Sequence, residues 1–149
     1  LILVGSFLNM EGYYEQLRDY VQKLGAKDVV FTGHVSFEKM LGCYHGADLF
    51  LCMSEHEGFC VPLLEAMYFD IPIVAYQSSA IGYTLGGSGI LLDKKNPLET
   101  AGVMDKVIRD EALRNRILSK QRKRLQDFGK ERTERLFMEK IEGFLKNEG

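Results

Sequence analysis

Five short runs of almost uninterrupted apolar residues constrain this chain most: Leu1–Val4, Val29–Thr32, Leu49–Met53, Ile71–Tyr76 and Gly89–Leu92, with segments of helical spacing between them. A strand that alternates apolar and polar residues can leave one face to water, whereas a strand apolar throughout needs cover on both. Intervening helices supply that cover. The expected class is therefore α/β, a Rossmann-like parallel sheet with helices on both faces. Leu1 has no methionine before it and opens directly in what should be a central buried strand. The expectation is a single domain over residues 1–149 from which an upstream portion has been removed.

The helices carry their own punctuation. Glu11–Leu24 places Tyr13, Leu17, Tyr20, Val21 and Leu24 on one stripe and stops at Gly25, and Ser36 caps a second helix running to about His45. Pro62 suits the first turn of a third, to about Phe69, where its missing N–H would have had no partner. Beyond Pro97 the pattern gives helices over Leu98–Asp110 and Glu111–Phe128, then a last one from about Glu131 to Lys146 after Gly129.

Composition narrows the function classes. A formal net charge of −2 argues against nucleic acid as the main partner, because affinity for phosphate backbones rests on a basic surface. No apolar run approaches the roughly 18–20 residues of a membrane span. Cys43, Cys52 and Cys60 are odd in number and lack Cys-x-x-Cys spacing, which fits a reducing, cytoplasmic setting. Charge is uneven, with eleven Lys/Arg against five Asp/Glu between Lys106 and Arg135. That stretch reads either as a solvated helix face or as a peripheral contact for an anionic lipid surface or substrate. No His, Cys, Asp and Glu stand at ligand spacing along the chain, so no metal is expected. Gly86-Gly87-Ser88-Gly89 precedes a strand and lacks the Lys-Ser/Thr of a phosphate loop, and no Gly-x-Gly-x-x-Gly follows the first strand. A dinucleotide cofactor is not expected either.

Ligands of open parallel sheets bind beyond the carboxyl ends of the strands, which selects the loops Gly5–Met10, Gly33–Ser36, Ser54–Val61 and Gln77–Thr84. The third is richest. It holds Glu57 beside Gly58, and Glu65 follows in the first turn or so of the next helix. Gly58 allows a ligand close to the backbone, and the N–H groups at the helix start favour an anion such as a diphosphate. A carboxylate there can accept two hydrogen bonds from a ribose diol, and a second can hold a sugar hydroxyl. The eight-residue spacing alone decides nothing, since Glu131/Glu139 and Glu134/Glu142 repeat it within a charged helix. Strand, Gly-Phe loop, proline and apolar helix together set Glu57 and Glu65 apart. His56 adjoins Glu57, and His34 follows a strand end; each reads as a solvated polar residue or as a wall of the site.

Four segments, Phe31-Thr32-Gly33-His34-Val35, Ala47-Asp48-Leu49-Phe50-Leu51, Glu57-Gly58-Phe59-Cys60-Val61-Pro62-Leu63-Leu64-Glu65-Ala66-Met67 and Ile71-Pro72-Ile73-Val74-Ala75, stand in an order that resembles the donor-binding lobe of retaining glycosyltransferase family 4. The resemblance runs from Leu1 to about Phe128. It implies one lobe, the C-terminal one, of a two-lobed GT-B fold that holds a nucleoside-diphosphate sugar for hexosyl transfer, without a metal or other cofactor. It implies that Glu57 contacts the hydroxyls of the transferred sugar and Glu65 the ribose diol. Gly58, Phe59, Cys60 and Val61 would contact diphosphate and sugar, and Gly33, His34 and Val35 would line the base pocket. An Arg and a Lys upstream of Leu1 would neutralise the diphosphate, and the missing N-terminal lobe would bind the acceptor, a glycan or lipid. Two positions differ from the family's habit: Cys60 stands where a small residue, often glycine, is usual, and Gly82-Tyr83 where Pro-Glu is common. A nucleotide-sugar epimerase or phosphorylase of the same fold, or a non-catalytic module binding sugar nucleotides or a partner, would share this lobe.

Overall fold

The computed structural model describes residues 1–147, so residues 148 and 149 of the expected 1–149 domain lie outside the described residues. These divide into two compact units, Leu1–Gly46 and a second from Ala47 onward. In the first, strand β1 (Ile2–Val4) leads into helix α1 (Glu11–Lys23), strand β2 (Val30–Gly33) and helix α2 (Phe37–His45). β1 and β2 pair in parallel, Ile2 opposite Val30 and Leu3 opposite Phe31. Phe7 stacks on Tyr14 at 4.1 Å between ring centroids, and Tyr14 meets Phe31 edge-on at 5.4 Å. The expected burial of the first strand is not found: Leu1, Ile2, Leu3 and Val4 are all exposed. Its only strand partner among the described residues is β2, and an apolar run is buried only where something packs over it.

The second unit carries strands β3 (Phe50–Cys52), β4 (Ile73–Tyr76) and β5 (Ile90–Leu92), helices α3 (Val61–Tyr68) and α4 (Ile81–Leu85) between them, then α5 (Pro97–Arg109), α6 (Glu111–Gln126) and α7 (Lys130–Asn147). The strands run parallel in the order β3-β4-β5. β4 is the centre of the core. Its neighbouring residues point to opposite faces, yet Ile73, Val74 and Ala75 are all fully buried. Val74 packs with Leu92, Val107 of α5 and Ile117 of α6, while α3 touches both β4 and α6. Covered parallel strands with flanking helices are the α/β class that the apolar runs require.

The helix ends follow the punctuation of the sequence. Ser36 accepts from Lys39 N at α2, Asn96 from Leu98 N and Glu99 N at α5, and Asp110 from Leu113 N at α6. Two expectations shift. The second half of the expected loop Gln77–Thr84 is helical, falling within α4 (Ile81–Leu85), and Glu65 sits in the second turn of α3 because the helix already begins at Val61. The basic stretch is partly consumed by pairing: Arg122 binds Asp70 through two nitrogens at 2.7 and 3.0 Å, and Arg132 and Arg124 share Asp127. No helix among the described residues is long and apolar enough to cross a membrane.

Proline 72 interrupts the entry to β4, and one buried side chain repairs the gap. Gln121 of α6, inaccessible to solvent, accepts from Ile73 N at 3.1 Å and donates to Ile71 O at 2.8 Å. A buried backbone group stripped of its partner costs about 1–3 kcal/mol. Gln121→Leu, which keeps the volume but neither bond, is therefore expected to lose about 2–4 kcal/mol in urea unfolding, for two such groups. A loss below about 0.5 kcal/mol would show that Gln121 serves packing alone.

Candidate functional site

The loop between β3 and α3 is held by hydroxyl groups from the segment after β4. Ser78 Oγ donates to Ser54 O at 2.6 Å, Glu57 N donates to Ser79 Oγ at 2.8 Å, and Thr84 Oγ1 of α4 donates to Phe59 O at 2.6 Å. Both ends and the middle of the loop are thereby fixed to one neighbouring segment. Hydroxyls suit this role because each both donates and accepts. Ser and Thr are too common in sequence for this pattern to be read from spacing, and none of the three was singled out there.

Thr84 is itself fixed. Arg124 of α6 donates from Nε to Thr84 O at 3.1 Å and from Nη2 to Tyr83 O at 2.6 Å, while Nη1 reaches Asp127 at 2.8 Å. Its guanidinium lies over the Phe128 ring, 4.6 Å from the centroid, and Phe128 meets Phe59 edge-on at 5.4 Å. The end of α6 thus reaches the loop by two routes, one polar and one aromatic. Gly86, with φ +54°, lies directly against this arginine: a Cβ there would stand 2.7 Å from Arg124 Nε.

Between the fixed points, Gly58 is exposed, and no heavy atom beyond its chain neighbours lies within 4 Å of where its Cβ would stand. The side of Gly58 where a side chain would stand is open. Glu57, Phe59 and Glu65 are half-buried, Val61 is exposed and Cys60 is buried. Beside the loop, Lys95 Nζ sits 2.9 Å from Glu55 Oε1 and holds that carboxyl below its usual range, through the hydrogen bond first and the charge second. The other expected residues stand in the first unit. Gly33 is buried with φ +65°, and a Cβ on it would come within 3.2 Å of the Phe7 ring; His34 is exposed and Val35 half-buried.

One group of residues comes together in space that sequence spacing does not reveal. Cys52 at the end of β3 and Cys60 at the end of the loop place their sulfurs 4.0 Å apart, and one ligand atom each from Cys52, Glu57 and Cys60 lies within 4.8 Å of the others. Burial pushes the Cys60 thiol up to about 12, with Cys52 and then Glu57 adding to the shift. All three cysteines are free thiols.

Cys60 is the N-cap of α3 and takes the left-handed conformation, φ 63° and ψ 67°. That backbone disfavours any side chain by roughly 1–2 kcal/mol and suits glycine, a physical reason for glycine to be frequent at this position. In ordinary backbone, alanine is more stable than glycine. Here the order is expected to reverse: Cys60→Gly should be more stable than Cys60→Ala by about 1 kcal/mol, since both lack the sulfur and only alanine keeps the strained Cβ. Equal or inverted stabilities in thermal or urea unfolding would contradict the left-handed assignment.

With this geometry the chain is similar to known glycosyltransferases. It is 30% identical over 103 residues to a D-inositol 3-phosphate glycosyltransferase of Corynebacterium jeikeium, an alignment that takes in 67% of this chain and 25% of the relative. Among solved structures, Anabaena HepE in complex with UDP-glucose superposes with a TM-score of 0.75 at 25% identity, covering 85% of this chain and 35% of that one. The C-terminal domain of the group 1 family protein LpcC from Francisella tularensis gives 0.66 at 25% identity, over 77% of this chain and 61% of that one. The chain thus spans about a quarter of the length of the curated relative. The family pattern described as glycosyl transferases group 1 matches residues 1–124, and the chain belongs to that family, with the α/β fold of a GT-B glycosyltransferase lobe.

Proposed function

We propose that this chain is the donor-binding lobe of a hexosyltransferase that acts with retention on a nucleoside-diphosphate sugar. The observation that carries the reading is the fixed loop before α3. Its backbone is tied at Ser54, Glu57 and Phe59, while Gly58 between the ties faces open space. A preorganised backbone opened at a glycine suits a ligand that must be held without rearrangement at the moment of reaction. Family membership and the UDP-glucose bound to HepE support the same class of donor.

In this reading Glu57 holds the hydroxyls of the transferred sugar, Gly58 to Val61 contact diphosphate and sugar, and Glu65 accepts from both ribose hydroxyls. Gly33, His34 and Val35 contact the base. The leaving diphosphate is stabilised by the N–H groups that open α3 and by the Arg and Lys that the family resemblance places outside this chain. Transfer needs no metal ion. The acceptor, a glycan or lipid, is bound by another lobe of the full-length protein, and the basic stretch of α6 and α7 is available to an anionic membrane surface.

Ribose recognition offers the sharpest test. Hydrogen bonds to a charged acceptor are worth about 1.5–3 kcal/mol each, so loss of the 2′-hydroxyl should weaken binding by roughly tenfold or more, the equivalent of about 1.4 kcal/mol. Calorimetry of UDP and its 2′-deoxy analogue against the unmutated chain and Glu65→Ala forms a double-mutant cycle. The unmutated chain is expected to prefer the ribonucleotide and the variant to bind both about equally. A variant that keeps the full ribose preference would show Glu65 to be an ordinary helix carboxylate.

A further inference from the structure

Cys52 of β3 and Glu57 and Cys60 of the loop form a group; the donor-binding reading uses Glu57 and Cys60 singly but gives the closeness of the three no role. Two zinc–sulfur bonds of about 2.3 Å at the tetrahedral angle set their sulfurs roughly 3.8 Å apart. Cys52 Sγ and Cys60 Sγ stand 4.0 Å apart already, with no disulfide between them. A Glu57 carboxylate oxygen joins them within 4.8 Å, so closing the group around one ion, where sulfur and oxygen would stand roughly 3.5 Å apart, needs a movement of at most about 1.3 Å. Cys60 is also a side chain retained on a backbone that would be relaxed only with glycine.

We propose that Cys52, Cys60 and Glu57 form a three-ligand site for a thiophilic divalent cation of the zinc class, with water in the fourth position. Two sulfurs and one carboxylate are a donor set that zinc and cadmium accept and that magnesium or calcium does not. On binding, two S–H bonds break, two metal–sulfur bonds form and two protons leave to solvent. The cost of forming thiolates in this buried place is met by the cation itself, since coordination deprotonates a thiol outright. The consequence rests on the donor-binding reading: a cation holding Glu57 takes that carboxylate away from the sugar. Zinc is then an inhibitor of the transferase, acting through the same loop and independent of any metal requirement of the reaction.

The test is calorimetric titration of zinc into the 149-residue chain under reducing, chelator-free conditions, without nucleotide or acceptor, so that its result stands apart from the donor reading. One zinc per chain is expected. Cys52→Ala and Cys60→Ala should each weaken binding more than about a hundredfold, since even changes outside the ligand set cost 10–100-fold. Glu57→Gln, which keeps an oxygen that can reach the ion but removes its charge, should weaken it by roughly tenfold or more, and Cys43→Ala should leave it unchanged. Absence of stoichiometric binding, or equal affinity in Cys60→Ala, overturns the site. Cadmium NMR on the unmutated chain removes the question of variant folding: the shift should report two coordinating sulfurs, and a shift reporting one or none overturns it equally.

Discussion

The hydrogen bond from Thr84 Oγ1 to Phe59 O, 2.6 Å long, is the contact on which the candidate site depends. Thr84 is fully buried, so its hydroxyl cannot exchange this bond for water without local opening. Phe59 lies between the glycine that opens the loop and the left-handed cysteine that starts α3. Fixing its carbonyl fixes the direction from which the chain enters the helix. Arg124 holds the same threonine by its carbonyl, which connects α6 to a loop that ends some sixty positions earlier in sequence.

The arrangement explains why a short helix and a long basic one belong to the functional description. α4 has five residues, no side-chain cap at Ala80 and a glycine in its first turn. Alone it would not persist in water. Arg124 supplies donors to the carbonyls of Tyr83 and Thr84 at its end, and the cation also suits the negative end of a helix. Gln121, one turn earlier on α6, repairs the backbone on either side of Pro72 at the entry to β4. One face of α6 therefore positions both β4 and α4, the elements that flank the segment holding the loop.

Much of this was legible in the sequence, and the limits have physical causes. The apolar runs located all five strands to within two residues, because burial on both faces leaves no room for polar side chains. Gly25, Ser36 and the prolines marked the helix ends because their backbone or hydrogen-bonding needs are local. α4 was not legible, since it is stabilised by Arg124 and not by its own residues. Burial of the first strand was overestimated because an apolar run states a need for cover and not its presence. In the site, Glu57, Gly58 and Glu65 stood out through the order strand, glycine, proline and apolar helix. The three hydroxyls and the Cys52–Glu57–Cys60 group did not, because they are assembled in space from ordinary residues at uninformative spacings.

The central claim is that the loop from Ser54 to Val61 and the start of α3 receive the diphosphate of a sugar nucleotide. Backbone amide chemical shifts of the isotope-labelled chain, followed during titration with uridine diphosphate, test it most directly. The account predicts the largest changes at Gly58, Phe59, Cys60 and Val61, extending to Glu65. Changes confined to α5, α6 and α7, or none on saturating nucleotide, would contradict it.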